Sequence, residues 1–263
     1  MGLRIFLRFR YHGGVTTLCP HCDGSGWRII ERDGLTAAER CDCASAGRAA
    51  EIEERAGIPP LYRSAAVENF SLPPDNPTAR TALGAVILTV RGYIREFPSV
   101  PKPGLLFIGP PGTGKTHLAV AALHGLIRRG FEGVFFDFGN LLDRIKSGYD
   151  QASGTMDKEA YRTALDTEIA VLDDLGAQRV TDWVEDTITS IVTYRCNQRK
   201  ATIVTTNLRD PEVGDQRGSG LVDDIHSRYF LEQRIGSRAR SRLFEMCRLV
   251  NMPAVEDYRL KRK

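Results

Sequence analysis

The chain has 263 residues, 42% of them hydrophobic and 26% charged, with a net charge of +3; that length holds one large α/β domain and a small appendage, not two equal domains. No run approaches the ~18 apolar residues of a membrane span, and the charge is too small to demand a nucleic-acid partner by itself. The opening MGLRIFLRFRYHGG lacks the apolar core and cleavage site of a secretory signal, and Phe6 stands where a myristoylation signal requires Ser or Thr. The expectation is a cytoplasmic protein with no membrane partner, whose six cysteines are reduced thiols or metal ligands.

Residues 1–18 show no helical period and are expected to be disordered. Residues 19–56 read as a cysteine-rich module. CPHC at 19–22 is followed eighteen residues later by CDC at 41–43. Two close thiol pairs can close a tetrahedral Zn²⁺ site, and so short and glycine-rich a segment needs such a staple to fold. The expected ligands are Cys19, Cys22, Cys41 and Cys43, with His21 a substitute; an iron–sulfur cluster and a redox thiol pair are the rival readings. EIEERAG, Glu51 to Gly57, reads as a short polar helix stopped by Gly57 and the Pro59-Pro60 pair. A turn-rich linker covers 57–77, and apolar residues at helical spacing predict a helix from Thr78 to Phe97.

From there to the end, residues 78–263, short apolar runs alternate with amphipathic stretches. LLFI at 105–108, VFFDF at 134–138, IAVLD at 169–173, TIVTT at 202–206 and CRLV at 247–250 predict five buried strands. Helices are expected from Lys115 to Arg129, from Asn140 onward and from Asp182 to Arg199. Such alternation predicts a parallel sheet with helices on both faces, an α/β fold. Cys196 and Cys247 fall on the helix and strand patterns and read as core packing.

The first of these strands runs into Gly109-Pro110-Pro111-Gly112-Thr113-Gly114-Lys115-Thr116, a full match to the P-loop pattern between a strand and a helix. Its glycines let the backbone N–H groups face inward, and the helix presents its positive end to phosphates. Lys115 is expected to meet the β- and γ-phosphate oxygens of ATP, and the Thr116 hydroxyl to ligate Mg²⁺. Asp173 and Asp174 end the third strand, where an uncompensated carboxylate is costly. Asp173 is expected to hold Mg²⁺ through water, and Asp174 to orient or deprotonate an attacking water, although many related NTPases carry Glu there. The fourth strand ends in Thr205, Thr206 and Asn207. Beside the phosphate-loop strand, Asn207 would lie next to the γ-phosphate and hold that water.

GLLFIGPPGTGKTHLAVA, VFFDFGNLLDRIKSGY and AVLDDLGAQRVTDWVEDTITSIVTYRCNQRKATIVTTNL together resemble the AAA+ ATPases of the bacterial helicase-loader family, the DnaC/DnaI and IstB group. The likeness spans roughly Gly57 to Leu260. It implies a five-stranded parallel sheet of order 5-1-4-3-2, and the short stretch after the fifth strand agrees with the absence of a C-terminal lid. It also implies self-association with ATP at the subunit junction, an arginine of one subunit reaching the γ-phosphate held by the next. Within RIGSRARSRLFEMC, Arg234 to Cys247, the SRLFEMC portion puts that arginine at Arg242, with Arg238 one turn earlier as the alternative, since the S-R-A-R-S-R repeat departs from the family pattern. The loop Gly214 to Phe230 departs from it too, in length and glycine content. In such proteins the module before the GIPPLYRSAAVENF stretch contacts a replicative helicase, and the ATPase body contacts single-stranded DNA. Arg144, Lys146, Tyr149, Tyr161 and Arg162 supply basic and aromatic groups for that contact, or face solvent on a helix pair.

The resulting expectation is an ATPase of DNA replication that loads a replicative helicase onto single-stranded DNA. An IstB-type ATPase assisting a transposase and a nucleotide-gated DNA-binding adaptor with little turnover are the alternatives. A small-molecule kinase is disfavoured, because it leaves Asn207 and the arginines unexplained.

Overall fold

A computed structural model describes residues 19–23, 25, 27–32, 35–147, 156–211 and 230–258. The chain separates into two compact units, Met1–Arg48 and Ala49–Lys263. Expectations for residues 1–18, for Tyr149 and for almost all of the 214–230 loop lie outside the described residues.

In the first unit, strands β1 (Trp27–Arg32) and β2 (Leu35–Arg40) pair antiparallel, Trp27 opposite Arg40 and Arg32 opposite Leu35. The backbone around CPHC folds into a knuckle, the Asp23 N–H donating to the Cys19 carbonyl at 2.9 Å. Helix α1 (Asp42–Arg55) begins inside the CDC motif, so the helix expected from Glu51 starts nine residues earlier.

The second unit is the expected α/β sandwich. Helix α2 (Pro77–Glu96) opens on Asn76, whose side chain accepts from the Ala79 N–H at 2.9 Å, with Pro77 at the first helical position. Strand β3 (Gly104–Ile108) leads through the phosphate loop into α3 (Lys115–Arg128). Next come β4 (Gly133–Asp137), α4 (Phe138–Ser147), α5 (Met156–Asp166), β5 (Ile169–Asp173), α6 (Asp182–Asn197) and β6 (Ala201–Thr206). Helices α7 (Leu231–Ile235) and α8 (Ser237–Met246) precede β7 (Cys247–Asn251). All sheet pairings of this unit are parallel, in the order β4-β5-β6-β3-β7, which is the expected 5-1-4-3-2.

Because side chains alternate along a strand, the sheet feeds two cores. Leu105, Phe107, Val171 and Ile203 pack on the α2–α3 side; Leu106, Ile108, Leu172 and Val204 pack on the α4–α8 side. The stretch expected as a linker contributes Ile58, Ala65 and Val67 to the first of these cores. Cys247 is buried and Cys196 packs at the edge of the second core.

The strand order positions the site. With β6 between β5 and β3, the ends carrying Asp173, Thr205 and the phosphate loop converge at the carboxyl edge of the sheet, where crossovers leave the crevice that binds ligands in such folds.

Candidate nucleotide and metal sites

The phosphate loop leaves β3 at Gly109 and re-enters regular structure at Lys115. Gly114 has φ +91°, and a Cβ there would sit 2.4 Å from the Phe70 ring, so both backbone and space require glycine. Thr113 donates its hydroxyl to the Pro110 carbonyl at 2.9 Å and fixes the loop's curl. Lys115, 6% exposed as a residue, donates through its ammonium to the carbonyls of Gly109 and Pro110 at 2.8 and 2.7 Å and to Asn207 Oδ1 at 2.6 Å. Asn207 in turn donates through Nδ2 to Asp174 Oδ1 at 2.7 Å. The expected neighbourhood of Lys115, Asn207 and Asp174 is thus a continuous hydrogen-bonded chain.

A second chain lies beside it. Thr116 Oγ1 donates to Asp173 Oδ1 at 2.9 Å, and Thr205 Oγ1 donates to the same oxygen at 2.6 Å. The Asp174 N–H donates back to Thr205 Oγ1 at 2.9 Å. Thr116 and Asp173 therefore offer a hydroxyl and a carboxylate at one point, hard oxygen donors of the kind Mg²⁺ takes beside phosphate oxygens. Burial pushes the Asp173 carboxyl above its usual range, and the Asp174 and Asp137 charges push the same way, against the lowering effect of the Thr205 and Thr116 hydroxyls. A carboxyl whose folded pKa exceeds its unfolded value costs stability once pH rises through the unfolded value, and the cost is fully present above the folded one. At neutral pH, Asp173→Asn is therefore expected to melt above the unsubstituted protein in EDTA, about 2–4 °C for each kcal/mol recovered, and to lose the stabilisation given by Mg²⁺ with ATP. Calorimetry in the two buffers checks both halves.

Asn69 to Asn76, Leu83, His117, Val255, Glu256 and Tyr258 line a cavity of about 400 Å³ that opens onto Gly112, Thr113 and Gly114. His117 Nε2 bonds the Ala66 carbonyl at 2.9 Å, and its ring packs T-shaped with that of Phe70, centroids 5.5 Å apart. These residues were not assigned from the sequence; the signal for them was the ENF triplet, whose aromatic follows a turn. Arg234 was likewise unassigned to a contact. It donates to the carbonyls of Gly176, Ala177 and Gln178, tying α7 to the turn that bears Asp174.

Arg238 and Arg242 lie away from these chains, with Thr189, Thr193, Ser237 and Ser241 in a groove between α6 and α8. Arg242 pairs with Glu245 at 2.6 Å, whereas Arg240 is held by Asp210 at 2.6 and 2.7 Å. Arg144, Lys146 and Arg162 are exposed, and the Tyr161 hydroxyl bonds that of Ser190 at 2.7 Å.

In the first unit the sulfurs of Cys19, Cys22, Cys41 and Cys43 lie within 4.8 Å of one another, with Cys22–Cys43 at 3.2 Å and Cys19–Cys41 at 3.8 Å. Tetrahedral thiolates about 2.3 Å from a zinc ion stand about 3.8 Å apart, so the four fit that ion. The Cys43 thiol is pushed up, first by its contact with Cys22 and then by Cys41, and a bound cation reverses that preference.

A strand–P-loop–helix unit with this sheet order, and with an acidic pair and an asparagine at the neighbouring strand ends, defines a P-loop ATP-binding protein of the AAA+ type. Residues 101–217 match the family of IstB-like ATP binding proteins. The crystal structure of the DnaC helicase loader is 32% identical, covering 74% of this chain and 100% of that one at a TM-score of 0.58. The replicative helicase loader DnaC of Escherichia coli (strain K12) is 27% identical over 169 residues, 64% of this chain and 66% of that protein's length. The crystal structure of DnaI, 18% identical over 79% of this chain and 99% of that one with a TM-score of 0.55, shares the fold. The chain belongs to the family of DnaC and the IstB-like ATP-binding proteins. No helix among the described residues is long and apolar enough to cross a membrane.

Proposed function

We propose that this protein is a Mg²⁺-dependent ATPase of DNA replication that loads a replicative helicase onto single-stranded DNA. The observation that carries the reading is the hydrogen-bonded chain Lys115–Asn207–Asp174 in a chain 32% identical to a helicase loader. Lys115 gives up its carbonyl partners for the β- and γ-phosphate oxygens, with the loop glycines and Thr113 shaping the cradle. Thr116 and Asp173 hold Mg²⁺, which when bound draws charge from the phosphate oxygens. Asn207 and Asp174 hold the attacking water between them, and the cavity under Phe70 and His117 takes the adenine. Arg242, or Arg238 one turn away, serves the site of a neighbouring subunit; both sit in an outward-facing groove, as a trans-acting group requires.

The proposed organisation is a zinc module over 19–56 that meets the helicase, a linker over 57–77 packed against the ATPase core, and an ATPase domain over 78–263 acting in the cytoplasm. The match to IstB-like proteins supports a second reading, in which the partner is a transposase.

Turnover measured against protein concentration tests self-association, with and without single-stranded DNA and the host's replicative helicase. Rising specific activity and stimulation by both are expected, and Arg242→Ala should keep ATP binding while losing about 10³-fold in rate. Flat activity with no response to DNA or helicase overturns the reading, and recovery of a transposase in a host pull-down moves it to the second. Elemental analysis should find about one zinc per chain, lost in Cys22→Ser.

A further inference from the structure

We infer that Thr205 is the positioning residue of the acidic pair, setting the direction of the Asp173 carboxylate and the backbone of Asp174 with one hydroxyl; this rests on the Mg²⁺-dependent reading of the site. Thr205 is 2% exposed and the penultimate residue of β6. The register that pairs Leu172 with Val204 brings it level with Asp173. Its hydroxyl is used in both senses. It donates to Asp173 Oδ1 at 2.6 Å and accepts from the Asp174 N–H at 2.9 Å, while the Thr205 carbonyl accepts from the Leu175 N–H at 2.9 Å. One residue thus holds three consecutive residues of the turn.

The turn needs holding, because Asp174 has φ +58°, in the left-handed region that few residues other than glycine, asparagine and aspartate adopt. Without the hydroxyl, the Asp174 N–H loses its acceptor and Asp173 Oδ1 is left to Thr116. The carboxylate is then free to turn from the direction in which it meets the Thr116 hydroxyl. Thr206 supports the same turn from the next position, donating to the Leu175 carbonyl at 2.8 Å, but it does not touch either carboxylate in this network. A group that orients a metal ligand from behind is typically worth 10–100-fold in metal affinity.

The test is a titration of Mg²⁺ against binding of a fluorescent ATP analogue to the full chain, alongside turnover. Thr205→Val is expected to raise the Mg²⁺ concentration for half-maximal effect about 10–100-fold and to lower turnover comparably, with analogue binding in EDTA within about 2-fold of the unsubstituted protein. Thr205→Ser, which keeps the hydroxyl, should stay within about 3-fold in Mg²⁺ dependence. If the Val variant does not fold, Thr205→Ala is read in the same titration. Unshifted Mg²⁺ dependence in Val and Ala, or a Ser variant as impaired as Val, overturns the inference, since then the hydroxyl does not matter. An unsubstituted chain that binds Mg²⁺ and the analogue yet turns nothing over overturns the hydrolysis reading alone, and the titration still decides Thr205.

Discussion

Lys115→Ala should weaken ATP binding by at least about 100-fold, because the lost ammonium makes charge-assisted hydrogen bonds to phosphate worth about 1.5–3 kcal/mol each. The fold should survive. Among the groups that Lys115 meets, the two loop carbonyls are able to turn to water, and Asn207 keeps its bond to Asp174. The expected pair of results is therefore a melting temperature close to that of the unsubstituted protein without nucleotide and no rise on adding ATP and Mg²⁺. Isothermal calorimetry and thermal melts separate the two. Retained ATP affinity would show that the loop amides suffice, and the cradle would have to be reread as a backbone site.

The largest expected loss of stability lies elsewhere, at Arg195. Arg195 is fully buried, and the groups that accept its hydrogen bonds are neutral, among them the Thr202 hydroxyl at 2.9 Å and the carbonyls of Ala164, Leu165 and Thr167 at 2.9, 3.2 and 3.0 Å. Burial pulls it down to about 10, so it remains charged at neutral pH. Its fork gathers the last carbonyls of α5 and the entry to β5, and joins them to β6, on the side of the sheet away from the nucleotide. Arg195→Met removes every donor and leaves buried carbonyls unmatched, for an expected cost of about 3–5 kcal/mol, or roughly 10 °C in melting temperature. Arg195→Lys should recover little, since a point charge with three donors cannot reproduce a planar fork. Chemical denaturation of the three proteins checks the order.

The contrast between these residues explains what could be read without coordinates. Buried parallel strands announce themselves as apolar runs, so β5 was placed residue for residue and the other four to within a residue or so. The phosphate loop is a local motif, and so was the acidic pair. The hairpin of β1 and β2 was missed, because WRIIER and LTAAER carry little of the alternation that marks a half-buried strand. Helix α1 was found only over its last five residues, since Cys, Ala, Ser and Gly at its start show no apolar helical period. Arg195 looked like any polar position of an amphipathic helix, and Arg234 like one more member of an arginine-rich run. What sets them apart is which carbonyls the tertiary fold brings within reach. Thr205 was visible as a polar strand end, but its double hydrogen bond depends on β6 lying beside β5, which long-range strand order decides.

That turn also accounts for the aspartate at position 174, where many related NTPases carry Glu. Asparagine and aspartate are several-fold enriched at positive φ, and glutamate has no such tolerance. With φ at +58° in Asp174, the peptide itself selects the shorter acid, and the reach lost with one methylene is made up by Asn207, whose amide already meets the carboxylate at 2.7 Å. Carboxylate and amide then form one composite group shared between two strands. An alanine at 174 would confound a lost charge with a strained backbone, whereas asparagine removes the charge and keeps a residue at home in that conformation.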